Sequence, residues 1–181
     1  MLIHPDRSLL LLVDVQEKLV PAIDDAAHLI DNCGWLTDVA NRLHIPVIAT
    51  EQYPQGLGGT IEVLRQRVPQ EQIFAKMAFS CVSETACADA INSVKAEQIV
   101  IAGIEAHVCV LQTAMELKQQ AREVFVVEDC VGSRSPSDKA AALARLRQNG
   151  VQIVTREMVA FEWLRKAGDD RFRQISREFL R

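Results

Sequence analysis

The sequence predicts an α/β protein, a single domain over residues 1–181 built as a three-layer α/β/α sandwich around a parallel sheet. Three observations carry that prediction. Short apolar, β-branched runs recur along the chain, and segments of helical period lie between them. The runs are also continuously apolar instead of alternating, which suits parallel strands covered on both faces. Strand–helix alternation with short loops winds such a sheet through right-handed crossovers, giving a Rossmann-like topology.

Taken in order, the first run is "LLLLVDV" at 9–15. Leu29, Cys33, Leu36, Ala40 and Leu43 then step by three and four residues, one stripe of an amphipathic helix. "PVIAT" (46–50) is the second strand, followed by a glycine-rich loop, "PQGLGG", expected to be flexible. "QIFAK" (72–76) is the third strand, and Cys87, Ala90, Ile91 and Val94 mark the helix after it. "QIVIAG" (98–103) leads to a helix striped by Val110, Ala114, Leu117 and Ala121. "EVFVVE" (123–128) is the fifth strand, and Pro136 or Ser137 opens a helix through Arg147 that "QNG" stops. "VQIVT" (151–155) is the sixth. Near the end, Phe172, Ile175 and Phe179 share one helix face, for packing within the chain or between subunits.

Composition bounds the function. The chain is 49% hydrophobic and 24% charged with a net charge of -4, the balance of a globular protein without an electrostatic footprint for nucleic acid or anionic membrane. The apolar run at 9–13 is too short to span a bilayer and ends in Asp14, so a cytoplasmic location is expected. Five cysteines, at 33, 81, 87, 109 and 130, form no C-x-x-C pair, and reduced thiols are expected.

In an open α/β sheet, ligands bind beyond the carboxyl ends of the strands. The residues delivered there are Asp14 and Gln16; Thr50, Glu51, Gln52 and Tyr53; Lys76, Phe79, Ser80 and Cys81; the turn before Cys109; and Glu128, Asp129 and Cys130. An acid, a lysine and a cysteine at the same end of three strands suggest nucleophilic chemistry. A helix N-terminus and an ammonium both favour thiolate, and a carboxylate beside it can carry its proton. Backbone N–H groups of the turn before Cys109 suit a developing oxyanion.

Position alone leaves alternatives open. Asp14 is equally a turn residue, lysine is usually solvated, and free cysteine is usually a small buried hydrophobe, the reading preferred for Cys33, Cys87, Cys81 and Cys130. Cys109 stands apart because of its turn and partners. Tyr53, Leu57 and Phe79 are expected to wall a pocket, with Gln16 beside them. Arg134 is either a carboxylate clamp or a loop arginine, and His107 a polar residue of the surroundings.

Three motifs then carry a resemblance: "LLVDVQ" on the first strand, "FAKMAFSC" after the third and "GIEAHVCV" after the fourth. In this order, and over nearly the whole chain, they resemble the isochorismatase-like cysteine hydrolases, compact members of which also share "TEQYPQGLG". The resemblance implies a six-stranded parallel sheet of order 3-2-1-4-5-6 and a catalytic triad of Asp14, Lys76 and Cys109. It further implies a cis peptide between Ile104 and Glu105 and an oxyanion hole from the N–H groups of Glu105 and Cys109. The implied activity is hydrolysis of a small-molecule amide, carbamoyl or related carbon through a thioester-type intermediate. Enol ether hydrolysis of the isochorismate kind, or a non-catalytic binding protein, are the alternatives. A homo-oligomer is implied as well. No cofactor and no metal are expected, because the loop after the second strand holds no histidine, and zinc or iron favours several nitrogen or sulfur ligands.

Overall fold

The structure, a computed structural model, describes residues 1–180. Its six strands are β1 (Ser8–Val13), β2 (Val47–Gln52), β3 (Ile73–Lys76), β4 (Gln98–Ile104), β5 (Glu123–Gly132) and β6 (Gln152–Val154). All pair in parallel, in the order β3-β2-β1-β4-β5-β6. This is the doubly wound arrangement expected, with the order reversing between β1 and β4.

Burial explains the sheet. β1 is buried along its whole length, and successive residues of a strand point to opposite faces. Leu10, Leu12, Val100, Ala102, Phe125 and Val127 therefore pack into one core layer, and Leu9, Leu11, Ile99, Ile101, Val124 and Val126 into the other. The first layer is covered by α1 (Ala26–Arg42), α7 (Arg156–Leu164) and α8 (Asp170–Phe179). The second is covered by α4 (Thr85–Ser93), α5 (Leu111–Gln119) and α6 (Pro136–Gln148). Two single-turn helices, α2 (Pro54–Leu57) and α3 (Glu62–Arg65), lie in the connection between β2 and β3.

Several boundaries moved for local reasons. β1 stops at Val13 because Asp14 takes a left-handed φ of 51° that ends the extended backbone. β2 starts after Pro46, whose nitrogen has no proton to donate, and runs on to Gln52. β5 continues to Gly132, with a register shift against β4 between Ile101 and Gly103. The α8 face packs within the chain: Ile175 is buried, and Phe179 meets Trp35 edge-on with centroids 6.3 Å apart.

The loop after β2 is braced rather than flexible. Glu51 accepts hydrogen bonds from Thr60, Gln16 donates to the Gly58 carbonyl, and Lys18 donates to the Gly56 carbonyl. Gly56 sits under the Tyr53 ring, where an added Cβ would lie 2.1 Å from a ring carbon.

Candidate active site

The site begins where β1 and β4 part. Gly103 lets these strands approach: its φ is +114°, and a Cβ there would fall 2.1 Å from the Val13 carbonyl oxygen. The chain leaves β1 at Asp14, fixed by its N–H to the Thr50 carbonyl (3.1 Å). It leaves β4 through a cis Ile104–Glu105 peptide into a π-helical turn, Ala106–Val110, that carries Cys109 just ahead of α5. β3 is the edge strand beyond β2, so the Lys76 side chain crosses β2 to reach Asp14.

These three residues meet. Lys76 Nζ lies 2.7 Å from Asp14 Oδ2, with both side chains fully excluded from solvent. Thr50 Oγ1 donates to the other oxygen, Asp14 Oδ1, at 2.7 Å. The ammonium donates to Gln52 Oε1 (2.6 Å) and to the carbonyls of Phe79 (3.0 Å) and Ala78 (3.2 Å). Asp14 Oδ2 is left to the Lys76 ammonium and to Cys109. Cys109, 6% exposed, faces this carboxylate.

The electrostatics correct one expectation. Burial, then the Asp14 charge, pushes the Cys109 thiol well above its ordinary value, and the opposing pull of Lys76 does not offset them. The resting group is a thiol, because desolvating a sulfur anion outweighs the nearby cation. Burial draws the Lys76 ammonium down, yet the Asp14 carboxylate beside it holds it above its ordinary value, so it stays charged. Cys81, also at this site, is pushed up to about 11, chiefly by burial.

The other expected residues are placed as follows. Gln16 is buried and its amide is spent on backbone: Nε2 donates to the carbonyls of Gln52 (2.9 Å) and Gly58 (2.7 Å), and Oε1 accepts from the Gln52 N–H (2.7 Å). It braces the loop. Tyr53 and Phe79 are 47% and 53% exposed, so they stand at the rim rather than enclosing a cavity. Glu105 turns its carboxylate to Arg134 in a two-pronged ion pair of 2.8 and 2.9 Å, and His107 Nδ1 meets Ser133 Oγ at 2.9 Å. Cys33 and Cys87 are buried in the two core layers, and Cys130 lies beside Cys33. A cleft of about 460 Å³ between α1, the end of β5 and α6 holds neither Cys109 nor its partners. Among the described residues, no three His, Cys, Asp or Glu side chains converge as a metal site.

The sequence places Thr50 and Gln52 at this end of the sheet but assigns them no role. Their signal was present: on a strand, alternate residues share a face, so "T-E-Q" at the end of β2 puts both toward the same crevice.

The architecture is that of a doubly wound α/β protein with an acid, a lysine and a cysteine gathered at its switch point. The family profile described as the isochorismatase domain matches residues 8–158, and the chain belongs to that family. It is similar to a solved structure from Caenorhabditis elegans described as MAR1 ribonuclease (34% identity, TM-score 0.92, covering 100% of this chain and 93% of that one). It is also similar to YcaC from Pseudomonas aeruginosa, solved with covalent acrylamide (25% identity, TM-score 0.91, covering 99% and 92%). A third is the YcaC gene product of Escherichia coli, described as an octameric hydrolase of unknown specificity (26% identity, TM-score 0.87, covering 92% and 83%).

Proposed function

We propose that this isochorismatase-like protein is a cysteine hydrolase acting on a small amide, carbamoyl or related carbon, with Cys109, Asp14 and Lys76 as its catalytic triad. The observation that carries the reading is Asp14 Oδ2, a fully buried carboxylate oxygen held beside the Lys76 ammonium and facing a thiol that burial keeps protonated. In the first step the thiol proton passes to Asp14 as the sulfur–carbon bond forms. The N–H groups of Glu105 and Cys109 receive the oxyanion. Collapse expels the leaving group, which takes the proton back from Asp14, and a thioester-type intermediate remains. Asp14 then deprotonates water, which attacks the intermediate and releases Cys109 as a thiol. Lys76 offsets the Asp14 charge and holds the carboxylate in place.

Two observations favour a neutral substrate over a dicarboxylate such as isochorismate. Lys76 is buried against Asp14, and Arg134 is paired with Glu105, so neither cation nearest the site is free for a substrate carboxylate. The acrylamide adduct of the Pseudomonas relative supports a nucleophile reactive toward a small amide-bearing electrophile. The net charge of -4 gives no support to a nucleic-acid substrate.

The remaining proposals are broader. One domain spans the chain, since α8 packs on α1. The octameric Escherichia relative supports a homo-oligomer, and the exposed Tyr53, Met77 and Phe79 are apolar surface available for it. A cytoplasmic location accords with the expected reduced thiols. Among the described residues, no helix is long and apolar enough to cross a membrane.

The deciding experiment is a panel of small amides, carbamoyl compounds and isochorismate, presented to the wild type, Cys109→Ser and Asp14→Asn. Turnover is expected for at least one neutral member, absent in Cys109→Ser and slowed about 10²–10⁴-fold in Asp14→Asn. Turnover that survives Cys109→Ser would sink the proposal.

A further inference from the structure

We infer that Gln52 is a positioning residue for the triad: by accepting a Lys76 proton it competes with Asp14 for the ammonium and leaves Oδ2 a better acceptor for the proton of Cys109. The inference rests on the proposed roles of Asp14 and Cys109 and adds a residue to them.

The geometry is a count of donors. An ammonium has three N–H groups. In the structure four acceptors lie within reach of them: Gln52 Oε1 at 2.6 Å, Asp14 Oδ2 at 2.7 Å, the Phe79 carbonyl at 3.0 Å and the Ala78 carbonyl at 3.2 Å. Three donors cannot fully serve four acceptors, and Gln52, at the shortest distance, competes with Asp14 for them. The carboxylate is kept ionised by the charge beside it while its share of the protons is reduced, which leaves it a better proton acceptor.

The orientation of the Gln52 amide is not arbitrary. Lysine only donates and a carbonyl only accepts, so Oε1 must face Lys76 and Nε2 must face the Met77 carbonyl, 2.8 Å away. Gln52 is itself held by Gln16, which takes its N–H and donates to its carbonyl. The residue sits on β2, between the strand of Asp14 and the strand of Lys76, with its side chain fixed by Lys76 and Met77 and its backbone by Gln16.

Without the Gln52 oxygen, three N–H groups of Lys76 serve three remaining acceptors, and Asp14 Oδ2, the charged and nearest of them, no longer has to share. Two consequences follow. The thiol loses the carboxylate that holds its proton, and the Asp14 charge facing it is better neutralised, so Cys109 becomes easier to ionise. The carboxylate also becomes a poorer base, so the chemical step slows. A more acidic thiol in a slower enzyme is the signature; general loosening of the site does not predict it. The other ionisable group facing this ammonium is Cys81, and burial keeps it a thiol.

The test is a spectroscopic titration of the Cys109 thiolate, taken as the difference between each protein and the same protein carrying Cys109→Ser. For Gln52→Met the midpoint is expected to fall by about one pH unit or more, a tenfold change in the ionisation constant. Addition of acrylamide near neutral pH, mapped by mass spectrometry, reports in parallel whether Cys109 is a nucleophile. Gln52→Glu is the second variant. It keeps an oxygen acceptor for Lys76 but loses the donor to Met77, so its midpoint is expected to stay at or above the wild-type value. An unmoved or raised midpoint in Gln52→Met overturns the positioning role, as does a lowered one in Gln52→Glu. Wild-type Cys109 that takes no acrylamide overturns instead the nucleophile on which the inference rests, so the two failures are distinct.

Discussion

Asp14 Oδ2 stands 2.7 Å from Lys76 Nζ, and neither side chain reaches solvent. The pair therefore carries a risk to stability. Two buried charges satisfy each other, but either alone is an unpaired ion in an apolar interior. Asp14→Leu and Lys76→Met are each expected to destabilise the fold by about 3–5 kcal/mol, while the double substitution loses clearly less than the sum. Urea denaturation of the four proteins measures this. Strictly additive losses would show that the pair is not coupled.

Cys109 is expected to be the first thiol labelled by iodoacetamide, because at 6% exposure it is the least covered of the five. Its raised value adds a condition. Labelling should keep accelerating as pH rises through neutrality and beyond, since the reactive thiolate is a minor species there. A rate that levels off near neutral pH would reveal a thiolate at rest and contradict the electrostatics of the site.

Alkaline conditions should destabilise the folded state. Cys81 and Cys87 have an ordinary value of 9.0 and are pushed up to about 11 and about 12, mainly by burial. Between those limits the unfolded chain has lost protons that the folded chain still binds, so stability falls as pH rises. The loss should begin near pH 9 and continue toward the folded values. Replacing Cys87 with alanine should flatten the slope, even though the cavity lowers stability at neutral pH. Denaturation at a series of pH values checks both.

Gly103→Ala is expected to cost more than about 4 kcal/mol or prevent folding, the range reserved for strained backbone and steric conflict. The added carbon meets the backbone of Val13, which cannot swing aside as a side chain would. At Gly168, where nothing lies within 4 Å, the same change has only its positive φ to contend with and should cost far less. Thermal melts of the two variants make the comparison, and equal losses would refute the close β1–β4 approach as the cause.

Activity, once a substrate is found, should survive dialysis against a chelator, and nicotinamide should be turned over poorly. At the end of β2, Glu51 is engaged by Thr60 and Gln52 by Lys76, and the loop that follows holds no histidine. Activity lost to chelator and restored by zinc would overturn this.

The sequence by itself determined the sheet, its helices and the strand-end placement of Asp14, Lys76 and the turn that carries Cys109. Continuous apolar runs such as 9–13 have no stable place except a strand covered on both faces, and helical stripes such as Leu29, Cys33 and Leu36 bury only against that sheet. Motif spacing placed Asp14, Lys76 and Cys109 at strand ends because parallel winding brings those ends together. The tertiary structure decided everything that depends on which atoms exclude water and in what direction they point. It made Cys109 a thiol, since desolvation is a property of the packed interior and no motif records it. It turned Gln16 from the crevice to the backbone, tied Arg134 to Glu105, and braced a glycine-rich loop that composition alone reads as mobile. It also drew Thr50 and Gln52 into the site, because their partners lie on neighbouring strands far away in sequence, and hydrogen bonds across a sheet exist only once the register between its strands is set.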